Sequence, residues 1–169
     1  MGTILLEAFE PELENFNDDV RDLVVKVLTA ASDHNASSDL FHKGSIIDHT
    51  KLTYRILTSM FEEHSEYKGK SRFAEGVYAA CILHDLDKYD ENNAYKPHHP
   101  LLMADRIRKI SPTAFAKTVA NMVERHEGPF FNKWTLEDGT NVEATAPVSK
   151  GDRLLAYANA LANISKRYT

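Results

Sequence analysis

Hydrophobic positions recur every three or four residues along most of the chain, the spacing of one face of an α-helix. Val20, Leu23, Val24, Val27 and Leu28 predict a helix over 18–31. Residues 33–44 are polar and read as a loop. Ser45 can cap a second helix, from 46 to about 64. The pattern breaks over 68–71 and resumes as a third helix from 72 to about 88. A polar loop follows over 89–98, and Pro100 suits the first turn of a fourth helix ending near 110. Ser111-Pro112 opens a fifth, which runs to about 127 and stops at Gly128-Pro129. Pro147 opens a last helix carrying Leu154, Leu155, Ala158 and Leu161. Only the stretch 132–145 departs from this period. There β-prone residues flank Asp138-Gly139, a pair that favours hairpin turns. The expectation is an all-α bundle of about six helices with a short β-hairpin at 132–145, forming a single domain over 1–169.

Composition narrows the classes. At 169 residues one domain is the default and a sizeable core can be buried. A formal net charge of -5 gives no footprint for non-specific binding to long duplex DNA. No apolar run approaches the ~18 residues of a membrane span. The N-terminal segment has glutamates and no basic flank, so it does not read as a signal peptide. The lone cysteine, Cys81, has no partner for an internal disulfide and reads as a small core residue. A cytoplasmic protein without a membrane partner is expected.

The histidines change the picture. In the second helix, Ile46, His49, Thr53, Ile56 and Met60 step by three and four, which puts His49 on the core-facing stripe. His84 shares such a stripe with Phe73, Val77 and Cys81, and His126 with Phe115, Val119 and Met122. His99 opens the fourth helix in line with Leu102 and Met103, and Asp152 lies near the start of the last. Singly, a core histidine bonded to a carbonyl or a capping aspartate explains each. Together they would be a costly set of buried polar groups unless one metal cluster satisfied them. His34, His42 and His64 read as surface.

Residue type sets the chemistry. Imidazole with carboxylate suits first-row transition metals, whereas Mg2+ favours oxygen shells. Asp85, directly after His84, has two oxygens and can bridge two ions. A hydroxide held between ions ~3.5–4 Å apart is a nucleophile at neutral pH. Lys88, three residues on, can neutralise a phosphate oxygen there.

The order His49, Leu83-His84-Asp85-Leu86-Asp87-Lys88, His99-Pro100, Arg125-His126-Glu127-Gly128 and Lys150-Gly151-Asp152 resembles the HD-domain superfamily of metal-dependent phosphohydrolases, in its binuclear branch. The resemblance implies that His49, His84, Asp85 and Asp152 hold one metal, with Asp85 bridging. His99 and His126 would hold the second. It gives Asp85 and Lys88 catalytic roles, and implies two divalent transition metal ions, Mn or Fe foremost, with Mg, Co, Ni or Zn as further candidates. The implied activity is hydrolysis of a phosphate ester, a nucleotide or short oligonucleotide, as a monoesterase or diesterase. Lys88, Lys96, Arg125 and Lys133 are the candidates for binding substrate phosphate, and Phe130, Phe131 or Trp134 could stack on a base, although packing of the hairpin on the bundle is the preferred reading of those aromatics. His98 adjoins His99; the His-Pro pair opening a helix favours His99. A glycine is common where Asp87 stands. Lys88 replaces the glutamate of single-metal nucleotidases, and no Gly-Tyr-Pro follows Glu127. A di-iron oxygenase acting on a small molecule, and a nucleotide-binding module without turnover, are the alternatives.

Overall fold

The computed structural model describes residues 3–31, 45–63, 71–90, 92, 94–128 and 131–168. Among these the element order is α1 (Thr3–Ala8), α2 (Glu10–Leu13), α3 (Asp18–Ala30), α4 (Ile46–Glu63), α5 (Arg72–Leu83), α6 (His99–Ile110), α7 (Ala114–Glu124), β1 (Lys133–Thr135), β2 (Asn141–Glu143) and α8 (Lys150–Tyr168). The expected all-α bundle is what forms. The loop at 33–44 and the residues His34, His42, His64, Lys68, Lys70 and Phe130 lie outside the described residues.

The six long helices are those the periodicity predicts, and the two additional ones are short. Leu5 and Leu13 in them, and Phe9 between them, are buried and continue to Phe16 against α3. Helix α5 sits at the centre and packs against α3, α4, α7 and α8. It is buried nearly all round, and its Gly76, Ala79 and Ala80 let neighbouring helices approach closely. Its Glu75 is buried too, and accepts from the backbone N–H and the side-chain amide of Asn17, both at 2.7 Å. That satisfies a buried carboxylate and ties the start of α3 to α5.

Helix starts follow local chemistry. Ser45 and Asp48 exchange backbone and side-chain bonds at 3.1 Å before α4, and Ser149 with Asp152 does the same at 3.0 Å before α8. The second box starts α8 at Lys150 rather than at Pro147. Helix α5 ends at Leu83 and α7 at Glu124, short of the expected 88 and 127. Past each end the chain turns with bonds to the residue three back, Leu86 to Leu83 and His126 to Val123. The period still matches the core face there, which is why sequence alone extends both helices. The hairpin forms as expected, with Trp134 opposite Val142 and Gly139 at φ 85° in its turn.

Candidate metal centre

Helix ends position the imidazoles. His84 and His126 lie just past α5 and α7, His99 opens α6, and His49 lies in the first turn of α4. Nδ1 of His84 donates to the Cys81 carbonyl at 2.5 Å, Nδ1 of His99 to that of Lys96 at 2.8 Å, and Nδ1 of His126 to that of Val123 at 2.6 Å. A carbonyl only accepts, so each Nδ1 carries the proton and each Nε2 is turned inward. Cys81 and Val123 lie in the last turns of α5 and α7, where carbonyls lack helical partners. The same bonds thus cap two helices and orient two imidazoles.

The Nε2 atoms converge on Asp85. Its Oδ1 lies 3.1 Å from His99 and 3.3 Å from His126. Its Oδ2 lies 3.3 Å from His84, 3.5 Å from His49 and 4.0 Å from Lys88 Nζ. The Nε2 atoms of His49 and His84 are 3.4 Å apart. All these side chains are buried, Asp85 at 3% exposure and Lys88 at 5%. Neutral imidazole lone pairs facing a carboxylate make no hydrogen bond, and His126 Nε2 is buried without a hydrogen-bond partner. A cation resolves that conflict. Donors ~2.0–2.1 Å from one ion lie about 3.0–3.4 Å from each other. Most of the spacings above fall in that range. The donors form two groups, His49 with His84 and Asp85, and Asp85 with His99 and His126, each with its ligand atoms within 4.8 Å of one another.

Burial pushes the pKa of His49 down to about 4, against the pull of Asp85. It also lowers that of His126. At His84 burial again opposes the charged form, but the Asp85 carboxylate outweighs it and the pKa rises. Burial opposes the charge on Asp85, yet His84 and Lys88 hold its carboxyl well below the usual range. The anion at the hub therefore persists, and two of its imidazoles are held neutral, ready to ligate.

The sequence profile described as HD domain matches residues 46–164, well over half the chain. The chain belongs to the HD domain family. No curated protein and no solved structure matches it. HD domains bind divalent metals, and the family's general activity is metal-dependent phosphohydrolysis. No helix among the described residues is long and apolar enough to cross a membrane.

Asp152, the sixth residue of the expected set, belongs to neither donor group among the described residues. Its Oδ2 accepts from Arg125 at 2.8 Å and from the backbone N–H groups of Val148 and Ser149 at 3.0 Å. Burial opposes its charge, but these donors lower its pKa. Asp152 Oδ2 thus serves the capping box of α8, and Arg125 Nη1 pairs with it. Two turns further along, Asn159 takes the inward place. Its Oδ1 lies 2.9 Å from His49 Nε2, and its Nδ2 donates to the His126 carbonyl at 3.4 Å. Sequence reasoning missed it, although Asn159 keeps helical step with Leu155 and Ala162, both buried. Glu127 was missed too. Its Oε1 lies 3.5 Å from His99 Nε2 and 4.0 Å from His126 Nε2.

The basic candidates separate. Lys88 lies beside Asp85, whereas Lys96 pairs with Asp90 at 3.4 Å and Lys133 stands exposed on β1. Arg106 makes a two-pronged pair with Asp87, the residue found where a glycine is common. Phe131 is 69% exposed, so the expected packing of that ring on the bundle does not occur.

A close approach shapes the turn after His126. A Cβ on Gly128 would lie 2.5 Å from Pro147 Cδ, a ring atom with little room to yield. Gly128→Ala should cost about 1–3 kcal/mol. Thermal unfolding would show it as a fall of roughly 2–4 °C per kcal/mol. An unchanged melting temperature would mean that Pro147 moves freely.

Proposed function

We propose that this chain is a two-metal phosphohydrolase acting on a nucleotide or short oligonucleotide as a single domain. One observation carries the reading: both oxygens of a buried carboxylate are faced by imidazole pairs, with a buried lysine on one side. His49, His84 and Asp85 would hold one divalent ion, and Asp85, His99 and His126 the other, Mn or Fe foremost for this donor set. Bound there, the ions would supply Lewis-acid activation of water and of the phosphate. Asp85 fixes the spacing of the pair. The Nδ1 bonds of His84, His99 and His126 hold each ring at its angle. The Lys88 ammonium stands where it can neutralise a phosphate oxygen as charge develops. Arg125 and Asp152 support the site from behind by fixing α8.

The test loads metal-free protein with Mn2+ or Fe2+ and offers nucleoside mono-, di- and triphosphates and short oligonucleotides. Phosphate or nucleotide should be released only with metal, and chelation should stop it. Full metal occupancy with no product from any of these would sink the proposal. Oxygen consumption by the Fe2+ form would turn it towards an oxygenase.

A further inference from the structure

The two halves of the centre carry unequal charge. On the Oδ2 side of Asp85 stand His49, His84 and the neutral amide of Asn159, with Lys88 Nζ 4.0 Å from that oxygen. On the Oδ1 side stand His99 and His126, with the Glu127 carboxylate 3.5 and 4.0 Å from their Nε2 atoms. The shared carboxylate therefore serves one half beside an ammonium and the other beside a second anion. Asn159 is 5% exposed, and its amide is oriented by the bond from Nδ2 to the His126 carbonyl, so Oδ1 stays turned toward His49. At similar ligand geometry, the affinity of a site for a divalent cation rises with the number of charged ligands.

We infer that the halves load in order: the His99–His126–Glu127 half takes its cation first and tightly, and the His49–His84–Asn159 half fills second and exchanges its ion. Asn159 is then a ligand or ligand-positioning residue of the weaker half, and Glu127 one of the tighter. The inference rests on the two-cation reading above.

Calorimetric titration of the metal-free full chain with Mn2+ tests it without reference to turnover. Wild type should show two events separated by roughly tenfold or more in affinity. Glu127→Gln should weaken the tighter event about tenfold and spare the other. Asn159→Asp should tighten the weaker event and spare the tighter one. The new carboxylate would face the His126 carbonyl and could disturb folding, so Lys88→Met serves as the second variant. It removes the ammonium and should likewise tighten the weaker event. Two events with the reverse pattern, Glu127→Gln acting on the weaker or Lys88→Met on the tighter, overturn the loading order alone. A folded wild-type chain that binds no Mn2+ sinks the two-cation reading, and the order with it.

Discussion

Asp85→Asn should reduce metal-dependent hydrolysis at least about 1,000-fold, because it withdraws the charge shared by both cations and with it the electrostatic stabilisation they supply. The substitution keeps shape and volume, so packing in the turn after α5 is preserved. The metal-free fold should survive it. The amide N–H can donate to an imidazole Nε2, but the variant loses the attraction that His84 and Lys88 exert on the carboxylate. The metal-free variant should therefore melt somewhat below metal-free wild type, while the Mn2+-induced rise in melting temperature should be present in wild type and largely absent in the variant. Metal analysis beside a phosphate-release assay decides it. Substantial turnover by the variant would remove Asp85 from the centre of the mechanism.

Metal removal is the second large effect. An ion that binds only the folded state stabilises it by ~2.7 kcal/mol when present at 100 times its Kd, so two ions would contribute ~5 kcal/mol. At roughly 2–4 °C per kcal/mol, chelation should lower the melting temperature by about 10–20 °C. The increment should depend on pH. Metal binding needs neutral imidazoles, so protons compete with it. His84, whose pKa is raised by Asp85, is the first at which protons compete as pH falls. In the metal-free protein His49 has its pKa depressed from 6.5 to about 4, so folding excludes a proton that the unfolded chain accepts. Its stabilising contribution is full above pH 6.5 and is lost as pH falls from 6.5 towards 4. His126, also depressed, acts in the same direction. The metal-induced rise in melting temperature should thus shrink on acidification below neutrality through proton competition at His84, while His49 and His126 make the metal-free fold itself less stable. A rise that is constant from pH 8 to pH 5 would contradict ligation through imidazole.

The helices and most of the donor set were legible because both follow one rule. A residue that keeps step with apolar neighbours points inward, whether it is Leu57 or His49, and both are buried. His49, His84, His99 and His126 were placed on that basis, and Asp85 by its position next to His84. What the period does not report is where a helix stops. His84 and His126 lie beyond helix ends, held by bonds to carbonyls that no spacing rule displays. Asp152 has two readings for a related reason. Its distance from Ser149 is also that of a capping box, and that local bond forms here. Asn159 went unnoticed because an amide is rarely sought among ligands. Helices α1 and α2 are too short for periodicity to register, though their apolar residues reach the core.

The bonds from Nδ1 to the main chain bear on how the molecule is assembled. His84, His99 and His126 are each fastened to a carbonyl three residues back in the chain, so they cannot reach out to seize an ion while the helices are apart. Only His84 and Asp85 are neighbours in the chain; His49 and His126 are brought to them by the docking of α4 and α7 on α5. The unfolded polypeptide offers scattered, flexible imidazoles and no hub. Ion capture then belongs to the end of folding, and retention of metal by a nascent or damaged chain would report that its helices have already docked.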